Sequence, residues 1–366
     1  MRASSAAQSW RAGPQSNRQR RELDTGKKAR ARRIFRWERA ILSCTIPSRR
    51  AVIDIGTNSV KLLVADVAGQ CLTPVTETSK QTRLGAGFYG TRRLQKPAIT
   101  STVAAVTEFA KTAAELGSAD TRLIATSAAR DALNVAELAE GIRQSCGLEM
   151  DILSGDKEAD WVFRGVTSDP KLSQSPVLVL DVGGGSTEFI VGDHGVPQFR
   201  NSYGMGTVRL LEQLRPSDPP GLRALIACRV GLRDFLKTEV VPLLRPALNA
   251  CQRPVKLVGT GGTATILARV ETGMSDFDRE KIESASLSLD SIRNHLESYW
   301  QMTLAQRQSI PGIPPQRGDV ILTGVAIYEA IMEQFGFSQL GVSTRGLRYW
   351  ALLHTWTTPI HSVSSS

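Results

Sequence analysis

The sequence predicts an α/β protein made of two related halves that hold a phosphate between them. Strand-like and helix-like segments alternate from Ala51 onward, which is typical of mixed sheets covered by helices. Two hairpins, residues 51–67 and 180–189, share one pattern: a strand ends near an acid, glycine and hydroxyl residues follow, and a second strand begins. Their acids, Asp54 and Asp181, are 127 residues apart, about the length of a small domain. The repeat therefore indicates a duplicated fold.

The second hairpin, LDVGGGSTEF, carries three consecutive glycines at 183–185, although glycine weakens a strand. Bare backbone lets amides approach an anion closely, and Ser186 and Thr187 add hydroxyl donors. Asp181 and Glu188 would repel a phosphate unless a hard cation such as Mg²⁺ lies between them. The alternative is a glycine-rich turn with solvated acids, which the second copy of the pattern makes the weaker interpretation.

The first half continues with alternating elements. The expected elements are a strand-like stretch ending near Gly85, a helix over 98–117, a short strand within 121–130, a helix over 134–147, a strand within 148–155 and a helix from Asp156. Apolar residues recur on one face of the 98–117 segment, and Gly117 ends it. Asn134 and Glu137 have the spacing of a capping box at the start of their helix.

The second half of the sequence again alternates strand-like and helix-like segments. After the glycine hairpin and the stretch 195–214, the expected elements are a helix after the proline-rich 215–221, a strand, turn and helix over 255–270, helices around Asp290 and Asp319, a strand over 340–346 and a last helix from Leu347. The turn at 259–263 places bare backbone before a helix N-terminus, which is a ready anion site. It matches neither a Walker A motif nor a dinucleotide fingerprint, and a tight packing turn is the alternative.

The net charge of +10 belongs to the N-terminal tail. Residues 1–50 contain fourteen Lys and Arg residues against three acids, whereas the remainder is close to neutral. We interpret residues 1–48 as a disordered basic tail. A polyanion-binding arm, a transit-like leader and an early start codon remain alternatives, and nucleic acid is expected to bind through this tail or not at all.

Other features of the composition favour a cytoplasmic protein. The five cysteines are scattered without a C-x-x-C pair, so free thiols in a reducing compartment are expected. The four histidines show no metal-binding spacing. No apolar run reaches the length of a membrane span, so no membrane partner is expected.

The chain resembles the Ppx/GppA family of exopolyphosphatases and guanosine pentaphosphate phosphohydrolases. The resemblance rests on six stretches in the family's order: VIDIGTNSVKLLVADV, RLIATSAARDALN, DILSGDKEADWVFRGV, LVLDVGGGSTEFIVG, YGMGTVRL and VGTGGTATILA. It extends from about Arg50 to Leu353. It implies an α/β fold of two actin-like (ribonuclease H-like) domains, 49–175 and 176–345, with an active-site cleft between them and a last helix near 346–357 that packs back on the first.

The resemblance also implies an enzyme that hydrolyses the terminal phosphoanhydride of polyphosphate, or of pppGpp to give ppGpp in the stringent response. Mg²⁺ is the expected cofactor, with Mn²⁺ as an alternative. Glu158, which follows SGDK, is expected as the general base, partly exposed and ionised at a helix start. The expected metal ligands are Asp181 and Glu188, with Asp54 as a further candidate. The expected phosphate-binding residues are Thr57, Asn58, Ser59, Arg130, Gly183, Gly184, Gly185, Ser186, Thr187, Gly259, Thr260, Gly261, Gly262 and Thr263.

The sequence departs from the family pattern at three positions. Lys157 replaces the usual acid before Glu158, and Tyr349 and Trp350 replace the Glu and Gly of RGLREG. Two other functions stay open: a sugar or carboxylate kinase of the same superfamily, and a non-enzymatic sensor of polyphosphate or alarmone. The sequence does not decide between polyphosphate and pppGpp, or between a monomer and the homodimer common among relatives.

Overall fold

The computed structural model describes residues 47–354, so the predicted tail, apart from its last two residues, lies outside the described residues. The strands are β1 (Ser48–Ile55), β2 (Val60–Ala68), β3 (Cys71–Lys80), β4 (Asp120–Ala125), β5 (Met150–Ile152), β6 (Val177–Val182), β7 (Thr187–Asp193), β8 (Val196–Tyr203), β9 (Lys256–Thr260), β10 (Ser286–Ser288) and β11 (Gln339–Val342). Their order along the chain follows the predicted alternation with helices.

The helices lie between and beside these strands. They are α1 (Lys96–Glu115), α2 (Ser127–Asp131), α3 (Val135–Cys146), α4 (Gly155–Val166), α5 (Pro170–Ser173), α6 (Thr207–Leu214), α7 (Gly221–Phe235), α8 (Val241–Ala250), α9 (Gly261–Glu271), α10 (Arg279–Ser284), α11 (Leu289–Gln301), α12 (Leu304–Gln308), α13 (Ile321–Phe335) and α14 (Leu347–Leu353). A π-helical turn at Leu236–Val240 joins α7 to α8, and a 3₁₀ turn forms at Pro315–Arg317.

Within residues 47–354 the strands form two sheets that share a five-strand topology, to which β10 adds an antiparallel edge strand in the second. The first has the order β3-β2-β1-β4-β5, and the second has the order β10-β11-β9-β6-β7-β8. In each sheet an antiparallel meander is extended by parallel strands that are reached through helical crossovers. The predicted α/β class with a duplicated hairpin is confirmed, and the two acidic hairpins occupy equivalent places in the two sheets.

A shared core lies between the two sheets. It contains Val52 of the first sheet, Val179 of the second, Phe163 of α4 and Leu352 of α14, all fully buried. Two further cores lie on the outer faces of the sheets, under α1 and α3 on one side and under α7, α11 and α13 on the other. The helix α14 packs against α4 and β1. The strands β1 and β6, which carry the two acidic hairpins, therefore lie on opposite sides of the shared core.

The predicted end of α3 is confirmed, but the expected capping box at its start, Asn134, is wrong. Gly147 ends α3 in the left-handed conformation, as predicted. The Asn134 side chain instead accepts a hydrogen bond from the Leu94 amide at 2.8 Å and donates to the Leu94 carbonyl at 3.1 Å. The side chain thus ties α3 to the loop before α1. None of the helices within 47–354 is long and apolar enough to cross a membrane.

Candidate active site

The two acidic hairpins face each other across a cavity of about 100 Å³. The turns β1–β2, β6–β7 and β9–α9 and the start of α4 form its walls. The predicted site residues that line it are Asp54, Thr57, Asn58, Ser59, Glu158, Asp181, Gly183, Gly184, Gly185, Ser186, Glu188, Thr260, Gly261 and Gly262. Residues from distant parts of the sequence are thus brought together in one place.

The other predicted phosphate-binding residues lie behind the cavity wall. They are Arg130, Thr187, Gly259 and Thr263. The Thr187 hydroxyl is fully buried and donates a hydrogen bond to the Met205 carbonyl. The Thr263 hydroxyl donates to the Val182 carbonyl at 3.2 Å. In this structure these two hydroxyls hold the loops in place and do not face the cavity.

The two phosphate-loop candidates have the same turn. In the first, the Gly56 amide donates to the Ser59 carbonyl at 3.0 Å, and in the second the Gly183 amide donates to the Ser186 carbonyl at 3.0 Å. We call these turns the first phosphate loop (residues 56–59) and the second phosphate loop (residues 183–186). Turns of this kind direct backbone amides outward, which suits an anion between them.

Close approach explains why glycine is needed around this cavity. A Cβ atom on Gly184 would lie 2.9 Å from the Thr57 Cβ atom in the facing loop. A Cβ atom on Gly261 would lie 2.2 Å from Asp181 Oδ1, and Gly261 has a φ of +79°. Gly184 therefore allows the loops of the two domains to come into contact, and Gly261 allows the β9–α9 turn to approach Asp181.

Glu158 enters the cavity from the first turn of α4. Ser154 caps this helix, because its hydroxyl accepts a hydrogen bond from the Lys157 amide at 3.2 Å. The Glu158 carboxylate accepts a hydrogen bond of 2.7 Å from Arg130 Nη1, which also donates to the Leu153 carbonyl at 3.0 Å. Arg130 therefore contacts the candidate base directly, whereas the sequence analysis expected it to contact phosphate.

The expected partial exposure of Glu158 is wrong, since only 7% of the residue is accessible. Burial raises the pKa of Glu158 above the usual glutamate range, while the Arg130 guanidinium lowers it. Burial also raises the pKa of Glu188 well above its usual value, and the nearby Glu158 and Asp181 charges raise it further. The Ser202 hydroxyl donates to the Glu188 carboxylate at 2.7 Å. The cavity thus holds acids that are costly to ionise together.

The strand register places a cation in the first hairpin where the second has an acid. Asp54 lies opposite Lys61, and Asp181 lies opposite Glu188 at the equivalent position. Burial raises the pKa of Asp54 and of Asp181, and Lys61 lowers both. Burial lowers the pKa of Lys61, and the facing Asp54 carboxylate raises it. Lys61 lines the cavity, so an anion bound there would favour its charged form.

The donor set fits a metal ion bound together with phosphate. Within residues 47–354, no three Asp, Glu, His or Cys side chains are placed to hold a metal by themselves. Mg²⁺ typically binds through one or two carboxylates and completes its shell with water and phosphate oxygens. Asp54, Asp181 and Glu188 are acids whose pKa values are raised by burial, a cost that a divalent cation would relieve.

Three cations that the sequence analysis did not select surround one side of the cavity. Lys61, Arg317 and Arg348 line both this cavity and a wider one of about 830 Å³ beside it. Arg317 Nη2 donates to the Ser59 hydroxyl at 3.0 Å, and desolvation lowers the Arg317 pKa to about 10. Arg348 pairs with Glu77 at 2.6 Å. We call Lys61, Arg317 and Arg348 the cationic neck.

A sequence signal existed for one member of the neck. Lys61 has the strand position of Glu188, so aligning the two hairpins would have selected it. Arg317 follows the proline-rich 311–315, where no periodicity indicates which side chain faces the cleft.

The three departures from the family pattern leave the cavity intact. Lys157 faces away from it, because its ammonium pairs with Asp151 at 3.2 Å and lies 5.0 Å from the centre of the Trp161 ring. Tyr349 lines the cavity but is only 5% exposed, and the Arg279 guanidinium covers its ring at 5.2 Å. The ring of Trp350 lies under Arg164 at 5.3 Å. The last helix is thus packed by cation–π contacts.

Comparison with known proteins gives a consistent result. Residues 63–355 match the Ppx/GppA phosphatase family. An exopolyphosphatase 2 of Mycobacterium tuberculosis is 33% identical over 313 residues, which cover 81% of this chain and 95% of that protein. A guanosine-5'-triphosphate,3'-diphosphate pyrophosphatase of Aeromonas salmonicida is 25% identical over 302 residues, which cover 81% of this chain and 57% of that protein.

Solved structures share the fold. The Ppx/GppA family member of Aquifex aeolicus has a TM-score of 0.69 and 28% identity, and the match covers 84% of this chain and 97% of that one. An exopolyphosphatase from Cytophaga hutchinsonii has a TM-score of 0.75 and 26% identity, and the match covers 83% of this chain and 96% of that one. The predicted two-domain actin-like fold is confirmed. From its fold, its acidic hairpins and these matches, this chain belongs to the Ppx/GppA phosphatase family of hydrolases.

Proposed function

We propose that this chain hydrolyses the terminal phosphoanhydride of inorganic polyphosphate or of pppGpp, with Mg²⁺ as its cofactor. The observation that carries the proposal is the cavity in which two phosphate loops face each other beside buried acids. Its small volume suits the end of a phosphate chain, and the cationic neck leads from it to a wider space that suits the remainder. Relatives named as exopolyphosphatase and as guanosine pentaphosphate pyrophosphatase support the same reaction class.

Phosphoanhydride hydrolysis requires an oriented water, charge neutralisation and little covalent chemistry. In this proposal Glu158, which lines the cavity, would accept a hydrogen bond from water and then its proton, as the water oxygen bonds to the terminal phosphorus. The bond from that phosphorus to the bridging oxygen breaks, which gives inorganic phosphate and a chain shortened by one phosphate. Mg²⁺, when bound, supplies charge neutralisation at the phosphate oxygens. Asp181 and Glu188, with Asp54, are the residues that would hold it.

The loops and the neck have separate tasks in this proposal. The amides of the two phosphate loops and the hydroxyls of Thr57 and Ser59 would bind the terminal phosphate. Lys61 and Arg317 would bind the next phosphate, where negative charge develops on the leaving group. Arg130 would hold the Glu158 carboxylate in place through its hydrogen bond.

The test is phosphate release from polyphosphate and from pppGpp, with ATP as control, each measured with Mg²⁺ and with EDTA. We expect release from at least one of the first two substrates, and only with the metal. A kinase would transfer phosphate from ATP to an acceptor, and a sensor would bind without turnover. Either result would replace the proposed function.

The cationic neck gives a prediction about substrate affinity. Arg317→Gln should raise the KM for tripolyphosphate by about 10-fold or more, because a hydrogen bond from a charged donor is worth more than a neutral one. Arg293→Gln is the matched control, since Arg293 pairs with Glu333 on the surface. Steady-state kinetics of both variants decide the matter, and equal KM values in the two would remove Arg317 from the substrate path.

The tail gives a second prediction. Deletion of residues 1–45, which leaves β1 intact, should not change kcat on tripolyphosphate, because the basic charge of the tail is separate from the nearly neutral remainder. The measurement compares both forms on short and long polyphosphate at several salt concentrations. A loss confined to long chains that shrinks as salt rises would identify a polyanion-binding arm, whereas failure of the deleted form to fold would contradict the prediction.

A further inference from the structure

The loop between β3 and α1, residues 81–95, is attached to the first phosphate loop. The Gly85 amide donates to the Thr57 carbonyl at 2.7 Å, and the Arg83 amide donates to the Asn58 carbonyl at 3.0 Å. Leu84 and Phe88, in the same loop, are buried in the core of the first sheet. A long loop without regular structure that is tied to a candidate site is more often functional than incidental.

The same loop reaches the second domain at α6. The Gly87 amide donates to a carboxylate oxygen of Glu212 at 2.6 Å. The Arg209 guanidinium lies 4.4 Å from the centre of the Tyr89 ring, and Arg209 Nε donates to the Gly185 carbonyl at 3.0 Å. Tyr89 therefore packs against the arginine that holds the second phosphate loop.

The Tyr89 hydroxyl lies at the point where the two phosphate loops meet. A Cβ atom on Gly185 would be 2.6 Å from Tyr89 Oη, 2.8 Å from Thr57 Oγ1 and 2.4 Å from Ser127 Oγ. Three hydroxyls thus converge on the bare Cα of Gly185, and the Tyr89 oxygen is shielded from solvent. Burial raises the Tyr89 pKa to about 12, against the smaller effect of Arg209, so the hydroxyl stays a proton donor at neutral pH.

We propose that Tyr89 is a positioning residue that fixes the spacing of the two phosphate loops. Its buried hydroxyl packs against the bare Cα of Gly185 beside the Thr57 hydroxyl, and its ring packs against Arg209, which binds the Gly185 carbonyl. Tyr89 does not line the cavity, so it acts through these neighbours and not on the phosphate itself. The inference rests on the proposed function, in which the two phosphate loops bind the same terminal phosphate.

The ring and the hydroxyl can be tested separately. Tyr89→Phe keeps the ring beside Arg209 and removes only the oxygen. Tyr299→Phe is the matched control: Tyr299 also has a buried hydroxyl without a hydrogen-bond partner among residues 47–354, but it lies in α11, away from the cavity. We expect Tyr89→Phe to lower kcat on the substrate that the wild type hydrolyses by about fivefold, because loss of the oxygen leaves a gap against Gly185 and loosens the second phosphate loop.

Two readouts separate positioning from a general structural effect. KM should change little, since the loop amides that bind phosphate remain. Hydrogen–deuterium exchange of the segment 183–187 should be faster in Tyr89→Phe than in the wild type, and unchanged in Tyr299→Phe. Identical kcat and identical exchange in the two variants would overturn the inference.

A double-mutant cycle tests the link to Arg209. If the Tyr89 ring and Arg209 act together on Gly185, Arg209→Gln combined with Tyr89→Leu, which removes the ring, should cost less than the product of the single effects. Strictly multiplicative losses would refute that link. If the wild type hydrolyses none of the proposed substrates, the proposed function fails, but the exchange of segment 183–187 still reports whether Tyr89 holds the second phosphate loop.

Discussion

Asp181→Asn is expected to lower kcat by about 100-fold or more and to shift the Mg²⁺ titration to higher concentration. Changes to groups that merely support a metal ligand already cost about 10–100-fold. Asp181 lies opposite Glu188 in the β6–β7 register and lines the cavity next to the second phosphate loop. The asparagine keeps the size of the side chain and removes the charge that would hold the ion. The measurement is kcat as a function of Mg²⁺ concentration, at saturating substrate.

Asp193→Asn is the control for this change. Asp193 ends β7 and pairs with Arg253 at 2.8 Å on the surface. Direct Mn²⁺ binding by electron paramagnetic resonance adds a readout that does not depend on activity, and it should weaken in Asp181→Asn only. A wild-type Mg²⁺ titration in the Asp181 variant would show that this carboxylate is not a ligand.

The hairpins and the strand-turn-helix at 256–271 were predictable because their signals are local. A strand that ends in an acid and a glycine turn has few backbone alternatives, and this pattern occurs at both places. The pairing of the two halves was predictable as well, since duplicated hairpins occupy equivalent positions in related sheets.

What the sequence did not reveal depends on contacts between distant segments. The partner of Asn134 is Leu94, 40 residues away, so local spacing gave the wrong cap. Arg317 reaches Ser59 across 258 residues, and nothing near Arg317 in the sequence indicates that contact. The burial of Glu158 likewise depends on how the two domains close around the start of α4, which helix position alone does not determine.

Glu158→Gln is expected to lower kcat by about 10²–10⁴-fold, the usual contribution of a general base. The glutamine keeps the length of the side chain and an oxygen that can accept the Arg130 hydrogen bond, but it no longer accepts a proton from water. Substrate affinity should be unchanged or higher, because a negative charge leaves the phosphate cavity. Single-turnover hydrolysis and equilibrium binding of the same variant measure the two quantities separately.

The control lies on the same helical turn. Asp156 is 65% exposed and pairs with Arg200 at 2.6 Å, so Asp156→Asn removes an acid from the first turn of α4 without touching the cavity. Its kcat should stay close to wild type. Equal losses in both variants would indicate that the charge at the helix N-terminus matters, and not a base at Glu158.

The thermal stability of Glu158→Gln shows whether a loss of activity comes from lost chemistry or from unfolding. Glu158→Gln takes the negative charge away from the partner of Arg130, but it also relieves the repulsion among Glu158, Glu188 and Asp181. Because these effects oppose each other, we expect the Tm of Glu158→Gln to stay within about 4 °C of wild type. A variant that is folded, binds substrate and does not turn it over identifies Glu158 as the base. A variant that loses binding together with turnover makes Glu158 a ligand of the metal or of the phosphate, and the general base must then be sought elsewhere in the cavity.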